Sequence, residues 1–479
     1  MSQKTEQPKP HELLDLYMDY YLGDQKRRND EFEVRFGTNP YHSLTKIDFD
    51  NIIDKLKSLG FSSDTIEGTY TLNISNEYDD VKTGKKKTSN IRTSIKSLPS
   101  IQKYCSENSL TEEKLFEPIY NGNIEFLQKF RKRVTLSDGE EQKQVNLQPI
   151  DFRDFEFRIN YKSENKLTLE RGGNKIKLLL NDWSNQKKTF RLIKRYSFTS
   201  GRTAFPFRID CSIVKTSKKR KYYIPEYTVE QSEVFNNPEN YEIEIELLND
   251  RARYLPKEEL IINLKNVIKM ILSGWQQSSF PISFKEEKDI QEEYMKLIYG
   301  SNPLPKTKDG SKNRRIRTSD FIGPSSISLE VSNIVPVDGD SNIPNINNKY
   351  SVTEKADGLR KLLYVSKIGK IYLINTNMNV QFTGMVTKHR NIYNSLIDGE
   401  HVLYNKAGEF INLYLAFDIY HRNKENYMGY PFIQMEGLNY VDKNMAKDKF
   451  RLTELNKFID QLDANCVVLD YDSPLRIEA

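Results

Sequence analysis

The chain has 479 residues, 37% of them apolar and 29% charged, yet its formal net charge is only +5; that length suggests about three folded units, and the near-balance means that any basic surface is local. The three cysteines, Cys105, Cys211 and Cys466, and the five histidines show no paired or ligand spacing, which excludes a disulfide framework and a zinc site. No apolar run approaches the ~20 residues of a membrane span, and the N-terminus lacks a signal-peptide core, so a soluble intracellular protein with no membrane partner is expected.

Residues 1–10 read as a polar tail, and 11–22 carry apolar residues at helical spacing. EFEVRFGT (31–38) is the first strand, and FDNIIDKLKSLGF (49–61) an amphipathic helix ending at Gly60. From about 66 to 250 the pattern is one of alternating strands: GTYTLNISN, NIRTSIKS, EFLQKFRKRVTL, FRDFEFRINYK, KTFRLIKRYSFTS, FPFRIDCSIVKTS and YEIEIELLN. Charge-rich turns separate them, among them KTGKKKTSN (82–90) and KTSKKRK (215–221). A sandwich or a closed barrel is expected from so many strands. Two helices follow, 255–275 with Pro256 near its start and Gly274 near its end, and 283–300 ending at Gly300. The Pro-, Gly- and charge-rich stretch 301–320 reads as a boundary. Strands resume with KYSVTEKADGLRKLLYV, GKIYLINTN, SLIDGEHVLYN and INLYLAFDIYH.

Several of the first strands carry charge on one face. Glu31, Glu33 and Arg35 share a face, as do Glu242, Glu244 and Glu246, whose carboxylates the strand rise spaces roughly 7 Å apart. Lys129, Arg131 and Arg133 alternate, as do Arg191 and Arg195, and Arg208 with Asp210; Arg92 and Arg158 stand in similar strands. For one strand, a solvated outer face is the ordinary explanation. The set is harder to explain that way, because the opposite faces (Phe155, Phe157, Ile159; Phe207, Ile209, Cys211; Ile243, Ile245, Leu247) are apolar enough to pack against helices. A closed barrel with a charged lumen and helices outside satisfies both faces. Carboxylates inside would bind a divalent cation, and arginines beside them a polyphosphate.

EFEVRFG, RIDCS and YEIEIEL resemble the glutamate-bearing strands of triphosphate tunnel metalloenzymes, and KRYSF, FRID and YEIEIEL, in this order, resemble more specifically the RNA 5′-triphosphatase domain of large-DNA-virus mRNA capping enzymes of the poxvirus and mimivirus type. The resemblance implies an eight-stranded tunnel in which Glu31, Glu33, Glu242, Glu244 and Glu246 hold Mg²⁺ or Mn²⁺. Arg35, Arg92, Arg131, Arg133, Arg158, Arg191, Lys194, Arg195, Arg208 and Asp210 would then surround the triphosphate. A glutamate, with Glu244 the candidate, orients the attacking water. The family pattern wants an inward lysine between the two arginines, where this chain has Ile193; either a bulge turns Lys194 inward or a neighbour replaces it.

A second constellation is EKADGLR, 354–360. Lys-x-Asp-Gly alone is a weak pattern, but here the lysine follows a predicted strand, and SLIDGEHVLY and INLYLAFDIY come after it. Together these are similar to motifs of covalent nucleotidyltransferases, the capping guanylyltransferases and polynucleotide ligases, and FIGPSSISLE resembles the segment before the lysine strand in capping enzymes. The resemblance implies Lys355 attacking the α-phosphate of GTP to give lysyl-GMP, its pKa lowered by a nearby cation such as Arg360. Asp357, Gly358, Arg360, Asp398, Glu400 and Phe417 would bind GTP, with Asp418 in the same motifs. The arginine common in the family at IYLINTN is missing. The Glu-Gly strand, Lys-x-Lys strand and lid expected after residue 420 are not seen either, so the second unit reads as incomplete and the chain as a fragment or half of a split enzyme.

The expected architecture is therefore α+β: an antiparallel barrel tunnel over 1–250, a helical link over 251–300 and the N-terminal part of a nucleotidyltransferase domain over 301–479. The expected partners are RNA 5′-triphosphate ends, GTP and a methyltransferase domain or subunit, in host cytoplasm or virion. Two rival functions fit the same residues: a tunnel polyphosphatase or nucleoside triphosphatase joined to an ATP-using ligase-like unit, and a non-catalytic RNA-binding subunit.

Overall fold

A computed structural model describes residues 12, 15, 30–37, 43–80, 83–131, 133–138, 141–170, 172–201, 205–300, 316–324, 327–336, 343–347, 350–434, 449–469 and 471–479. The helix expected over 11–22 and the boundary at 301–315 lie outside these residues, apart from Glu12 and Asp15. Two compact units result, Met1–Gln277 and Ser278–Ala479. The division falls between the two helices of 251–300, so that stretch is shared between the units and is not a link of its own.

The first unit is built on eight antiparallel strands, β1 (Asp30–Phe36), β2 (Thr69–Asp79), β3 (Lys86–Lys96), β4 (Ile124–Arg131), β5 (Phe157–Leu167), β6 (Lys188–Ser200), β7 (Phe207–Thr216) and β8 (Asn240–Leu247). They pair in the order β1-β8-β7-β6-β2-β3-β4-β5, and β5 pairs back onto β1, closing the sheet. Closure leaves no barrel edge to aggregate and gives every strand an inner and an outer face.

The outer face is apolar. Phe32, Val34 and Phe36 of β1, Phe207 and Ile209 of β7, and Ile243, Ile245 and Leu247 of β8 bury against α1 (Lys46–Ser58) and α4 (Lys257–Gln276). Thr45 starts α1 with a capping box, its hydroxyl accepting from the Asp48 amide while Asp48 accepts from the Thr45 amide. On the far side, Leu72, Ile74, Ile95 and Phe190 pack with Trp183 and with α2 (Leu98–Glu107) and α3 (Gly173–Leu180). Neither α2 nor α3 was expected from the alternating texture of this region.

Three expected strands differ. EFLQKFRKRVTL divides into β4 and a strand Arg133–Asp138, which pairs only with Glu141–Asn146, outside the barrel. In FRDFEFRINYK the residues 153–156 form a turn, with Glu156 at φ 52, so Asp154 and Glu156 do not share a strand face with Arg158. KYSVTE is not a strand; pairing begins only at Leu359.

In the second unit β9 (Leu359–Val365), β10 (Lys370–Asn375), β11 (Val380–Thr387), β12 (Ser395–Tyr404) and β13 (Phe410–Arg422) form an antiparallel sheet in the order β13-β12-β9-β10-β11. One face packs on α5 (Phe284–Tyr299) through Leu362, Tyr364, Tyr372 and Tyr294, the other on α6 (Arg451–Asp460) through Leu363, Ile371, Leu455 and Phe458. The fold is thus α+β, with a closed antiparallel barrel followed by a second sheet-and-helix domain.

Gly274 is not the end of its helix. The chain turns left-handed only at Gln277, while a Cβ on Gly274 would stand 2.8 Å from Ile52 Cα. The glycine lets α4 lie directly on the backbone of α1. Gly274→Val is expected to push the helices apart and destabilise the first unit by about 2 kcal/mol, read as a lowered urea midpoint with an unchanged slope.

Candidate active site

Because side chains alternate across a strand, closing the sheet places most of the glutamates and about half of the basic residues of the charged set in one lumen. A cavity of about 890 Å³ runs through it, lined by Glu31, Glu33, Arg35, Arg92, Arg191, Arg195, Arg208, Glu244 and Glu246 among others. The charges compensate one another across strands. Arg35 reaches Glu244 at 2.7 Å and Glu242 at 3.3 Å. Arg191 pairs with Glu242, and Arg195 with Asp210 at 3.1 Å and Glu244 at 3.2 Å. Arg208 holds Asp210 through two contacts of 3.0 and 3.1 Å and also touches Glu246.

The five glutamates fall into two groups. Glu242 and Glu244 are engaged by arginines: burial pushes the Glu244 carboxyl up, but Arg35, Arg195 and Arg191 outweigh it and hold it below its ordinary range. Glu33 faces Glu246 across the β1–β8 pairing, with Glu31 two residues further along the same face. Burial pushes Glu31 up against the pull of Lys129, and Glu33 adds to the rise. Burial likewise pushes Glu246 up to about 7, opposed by Arg208 and reinforced by Asp210 and Glu31. Each of these three carboxylates has a cation beside it, Lys129 by Glu31, Lys162 by Glu33 and Arg208 by Glu246, yet burial dominates at Glu31 and Glu246, and closely spaced carboxylate oxygens suit a hard divalent cation. As they stand, no three His, Cys, Asp or Glu side chains among the described residues converge on one point; Glu31, Glu33 and Glu246 fit such an ion by chemistry and register, once their side chains turn.

The expected basic residues also separate. Arg35, Arg92, Arg191, Arg195 and Arg208 line the cavity, and Arg92 Nε is buried without an acceptor among the described residues. Lys194 does not: β6 pairs on both sides without a register shift, so no bulge turns it inward, and its ammonium sits 5.5 Å from the rings of Tyr70 and Tyr196 on the outer face. Ile193 takes the inward position. Arg158 holds Asp151 at 2.6 and 3.0 Å in a largely exposed pair. Arg131 is exposed at the end of β4, and Arg133 belongs to the separate ribbon. Cavity residues left out of the expected set are Lys129, 3.3 Å from Glu31, Lys162, 2.6 Å from Glu33, and Glu164 and Lys96. Their inward parity was legible in FLQKF and NYKSENK, but a lone Lys beside a Glu has no sequence signature of its own.

In the second unit Lys355 is exposed in the irregular segment before β9, its ammonium 3.3 Å from the Ala356 carbonyl. Asp357 is exposed beside it. Gly358 presses onto β12: a Cβ there would stand 2.6 Å from the His401 carbonyl and 3.0 Å from Glu400 Cγ. That contact brings the lysine segment over Glu400. Arg360 is not a free cation. It grips buried Asp398 at 3.1 and 2.6 Å and donates to the Pro324 carbonyl at 2.6 Å, while the Tyr420 hydroxyl donates to Asp398 at 2.5 Å. Gly323, at φ +133, leaves Arg360 room, since a Cβ there would lie 2.3 Å from Nη2. Asp418 pairs with Arg451 at 2.8 Å, and Phe417 is 39% exposed on β13. The Arg360–Asp398–Tyr420 clamp thus fastens the FIGP segment to the sheet.

Residues 282–468 match the model of the mRNA capping enzyme catalytic domain. The chain is 27% identical over 309 residues to a probable mRNA-capping enzyme of Acanthamoeba polyphaga mimivirus, a match that covers 64% of this chain and 21% of the relative. The chain therefore spans about a fifth of the length of that relative. A solved structure of the S. pombe Pct1 RNA triphosphatase is also similar, at 14% identity and a TM-score of 0.27, over 57% of this chain and 90% of that one. No helix among the described residues is long and apolar enough to cross a membrane.

Two outcomes follow from the geometry. A carboxyl whose pKa is raised on folding costs stability above its folded value and ceases to as the pH falls through it toward the unfolded value. Glu246→Gln is therefore expected to raise the melting temperature of metal-free protein at pH 8, with the gain fading as pH falls from about 7 to 4.5. Asp398→Ala strands Arg360 and is expected to destabilise the second unit by about 3 kcal/mol, measured by urea unfolding.

Proposed function

We propose that the first unit is an RNA 5′-triphosphatase and the second the nucleotidyl-transferring part of an mRNA capping enzyme. The observation that carries the first half is the lumen, where Glu31, Glu33 and Glu246 gather on neighbouring strands beside a ring of arginines and lysines inside a closed barrel. Polyphosphate with a divalent cation is the ligand that both halves of that lumen accept. The capping-enzyme likeness, which includes residues 282–468, supports the same reading.

Glu31, Glu33 and Glu246 would hold Mg²⁺ or Mn²⁺. When bound, that ion supplies positive charge to the γ-phosphate oxygens as the transition state forms. Arg35, Arg191 and Arg195 turn their planar guanidinium forks to phosphate oxygens, which they match in pairs, while staying beside Glu244. Arg92, Lys129 and Lys162 complete the cradle. Glu244, kept ionised by Arg35, Arg195 and Arg191, is a weak base but a strong acceptor, so it orients the attacking water. The water oxygen bonds to the γ-phosphorus, the bond to the bridging oxygen breaks, and inorganic phosphate leaves an RNA with a 5′-diphosphate; one proton of the water stays on the phosphate and the other passes to solvent.

In the second unit Lys355, exposed in the segment before β9, gives up a proton to solvent, bonds through Nζ to the α-phosphorus of GTP and expels pyrophosphate. GMP then passes from lysine to the diphosphate end of the RNA. Arg360 and Asp398 act there as a clamp that positions the segment 320–324, and Glu400 lies under Gly358, three residues after the lysine. Methyl transfer falls to a further domain or subunit, and the site of action is the host cytoplasm or the virion.

The test is phosphate release from γ-labelled triphosphate-ended RNA with Mg²⁺ or Mn²⁺. Glu244→Ala should reduce it at least about a hundredfold, and no metal-dependent release from the intact chain would leave only an RNA-binding role. Calorimetric titration with Mn²⁺ near pH 7 should release protons, and Glu246→Gln should abolish that release. Labelling with α-labelled GTP should be lost in Lys355→Ala; labelling by ATP in preference to GTP would indicate a ligase-like unit.

A further inference from the structure

The lumen has a second end. Strand β7 starts with Arg208 opposite Glu246 and leaves the barrel at Thr216, opposite Arg191. Between Arg208 and Thr216 the strand rises roughly 27 Å. Beyond it the chain reads SKKRKYYIPEY, and Lys219, Lys221, Tyr222 and Tyr223 line the same cavity as the glutamates. This lip is a built turn. Lys219 bridges to Tyr223, and the Ile224 amide donates to the Lys218 carbonyl at 2.9 Å. Lys188 and Glu226 exchange backbone hydrogen bonds at 2.7 and 2.9 Å. The Lys188 ammonium is itself anchored on the Trp183 and Gln186 carbonyls at 2.6 and 2.5 Å.

What the turn presents serves no core. Tyr222 is 73% and Tyr223 44% exposed, with Lys221 5.5 Å above the first ring and Lys219 5.2 Å above the second. Lumen arginines meet carboxylates at ion-pair distance, and Lys218 in the turn itself meets Glu226 at 3.2 Å. Among the described residues, Lys219, Arg220 and Lys221 have no such partner. Exposed rings interleaved with unneutralised cations, continuous with a phosphate-sized lumen, match the chemistry by which proteins hold single-stranded nucleic acid without reading its sequence.

We propose that this lip is the path of the RNA behind its 5′-triphosphate. Nucleosides further along the chain behind the triphosphate stack on Tyr222 and Tyr223, while Lys219 and Lys221 meet the phosphates that link them. The proposal rests on the triphosphatase reading and adds a discrimination to it: a triphosphate that carries a nucleotide chain gains contacts that inorganic tripolyphosphate cannot make.

The test uses the full chain with two substrates, inorganic tripolyphosphate and a single-stranded RNA bearing a 5′-triphosphate. In Tyr222→Ala/Tyr223→Ala the ratio of kcat/KM for RNA to that for tripolyphosphate is expected to fall about tenfold or more, through KM. Tyr222→Phe/Tyr223→Phe should restore it. Lys219→Ala/Lys221→Ala should flatten the salt dependence of RNA binding by about 1.4 in the log–log slope. An unchanged ratio in the alanine pair, with both substrates hydrolysed, overturns the lip and leaves the triphosphatase reading standing. Hydrolysis of neither substrate by the intact chain overturns that reading, and the lip as a substrate path with it.

Discussion

Everything in the first unit depends on charge compensation inside a closed barrel. Glu31, Glu33, Arg35 and Glu242, Glu244, Glu246 point inward because the register of β1 against β8 leaves no alternative, and each side chain must then find its counter-charge across the lumen. Buried ion pairs seldom stabilise a fold over the apolar residues that could replace them, because the cost of desolvation is close to the Coulombic gain. A lumen built this way is therefore poorly explained by stability. The polyphosphate proposed above, displacing some of the pairs and making new ones, would account for it.

The same constraint accounts for the outer shell. A strand that spends one face on charge must bury the other, so the helices are spread around the barrel as cover. The contact of Gly274 with Ile52, the capping box at Thr45 and the core around Trp183 all serve to seal the apolar side. Rigid outer packing in turn fixes where the inner carboxylates and guanidiniums stand, which a site for phosphoryl transfer requires.

In the second unit the organising interaction is a single buried carboxylate. Asp398 draws Arg360 and Tyr420 to itself, and Arg360 fastens the FIGP segment through the Pro324 carbonyl. Two residues expected to meet a nucleotide are thus committed to holding backbone in place, while Lys355 and Asp357 stay exposed on an irregular segment. The clamp and Lys355 lie close in sequence but stand in different settings, one buried on the sheet and the other exposed.

The sequence by itself determined the inward and outward faces of nearly every barrel strand, because period-two alternation is a local property. It also located the lysine segment and the strands SLIDGEHVLY and INLYLAFDIY. Which charges meet was beyond it. That Glu244 pairs with Arg35 and Arg195 while Glu246 is pushed up to about 7 depends on bringing together strands as much as some 200 positions apart. That Lys194 faces out depends on an unbroken register with two neighbours, and that Arg158 and Arg131 leave the lumen depends on where a turn and a strand end fall. Barrel closure decided these matters, because electrostatic partnership is set by distance in space, which alternation along one strand does not contain.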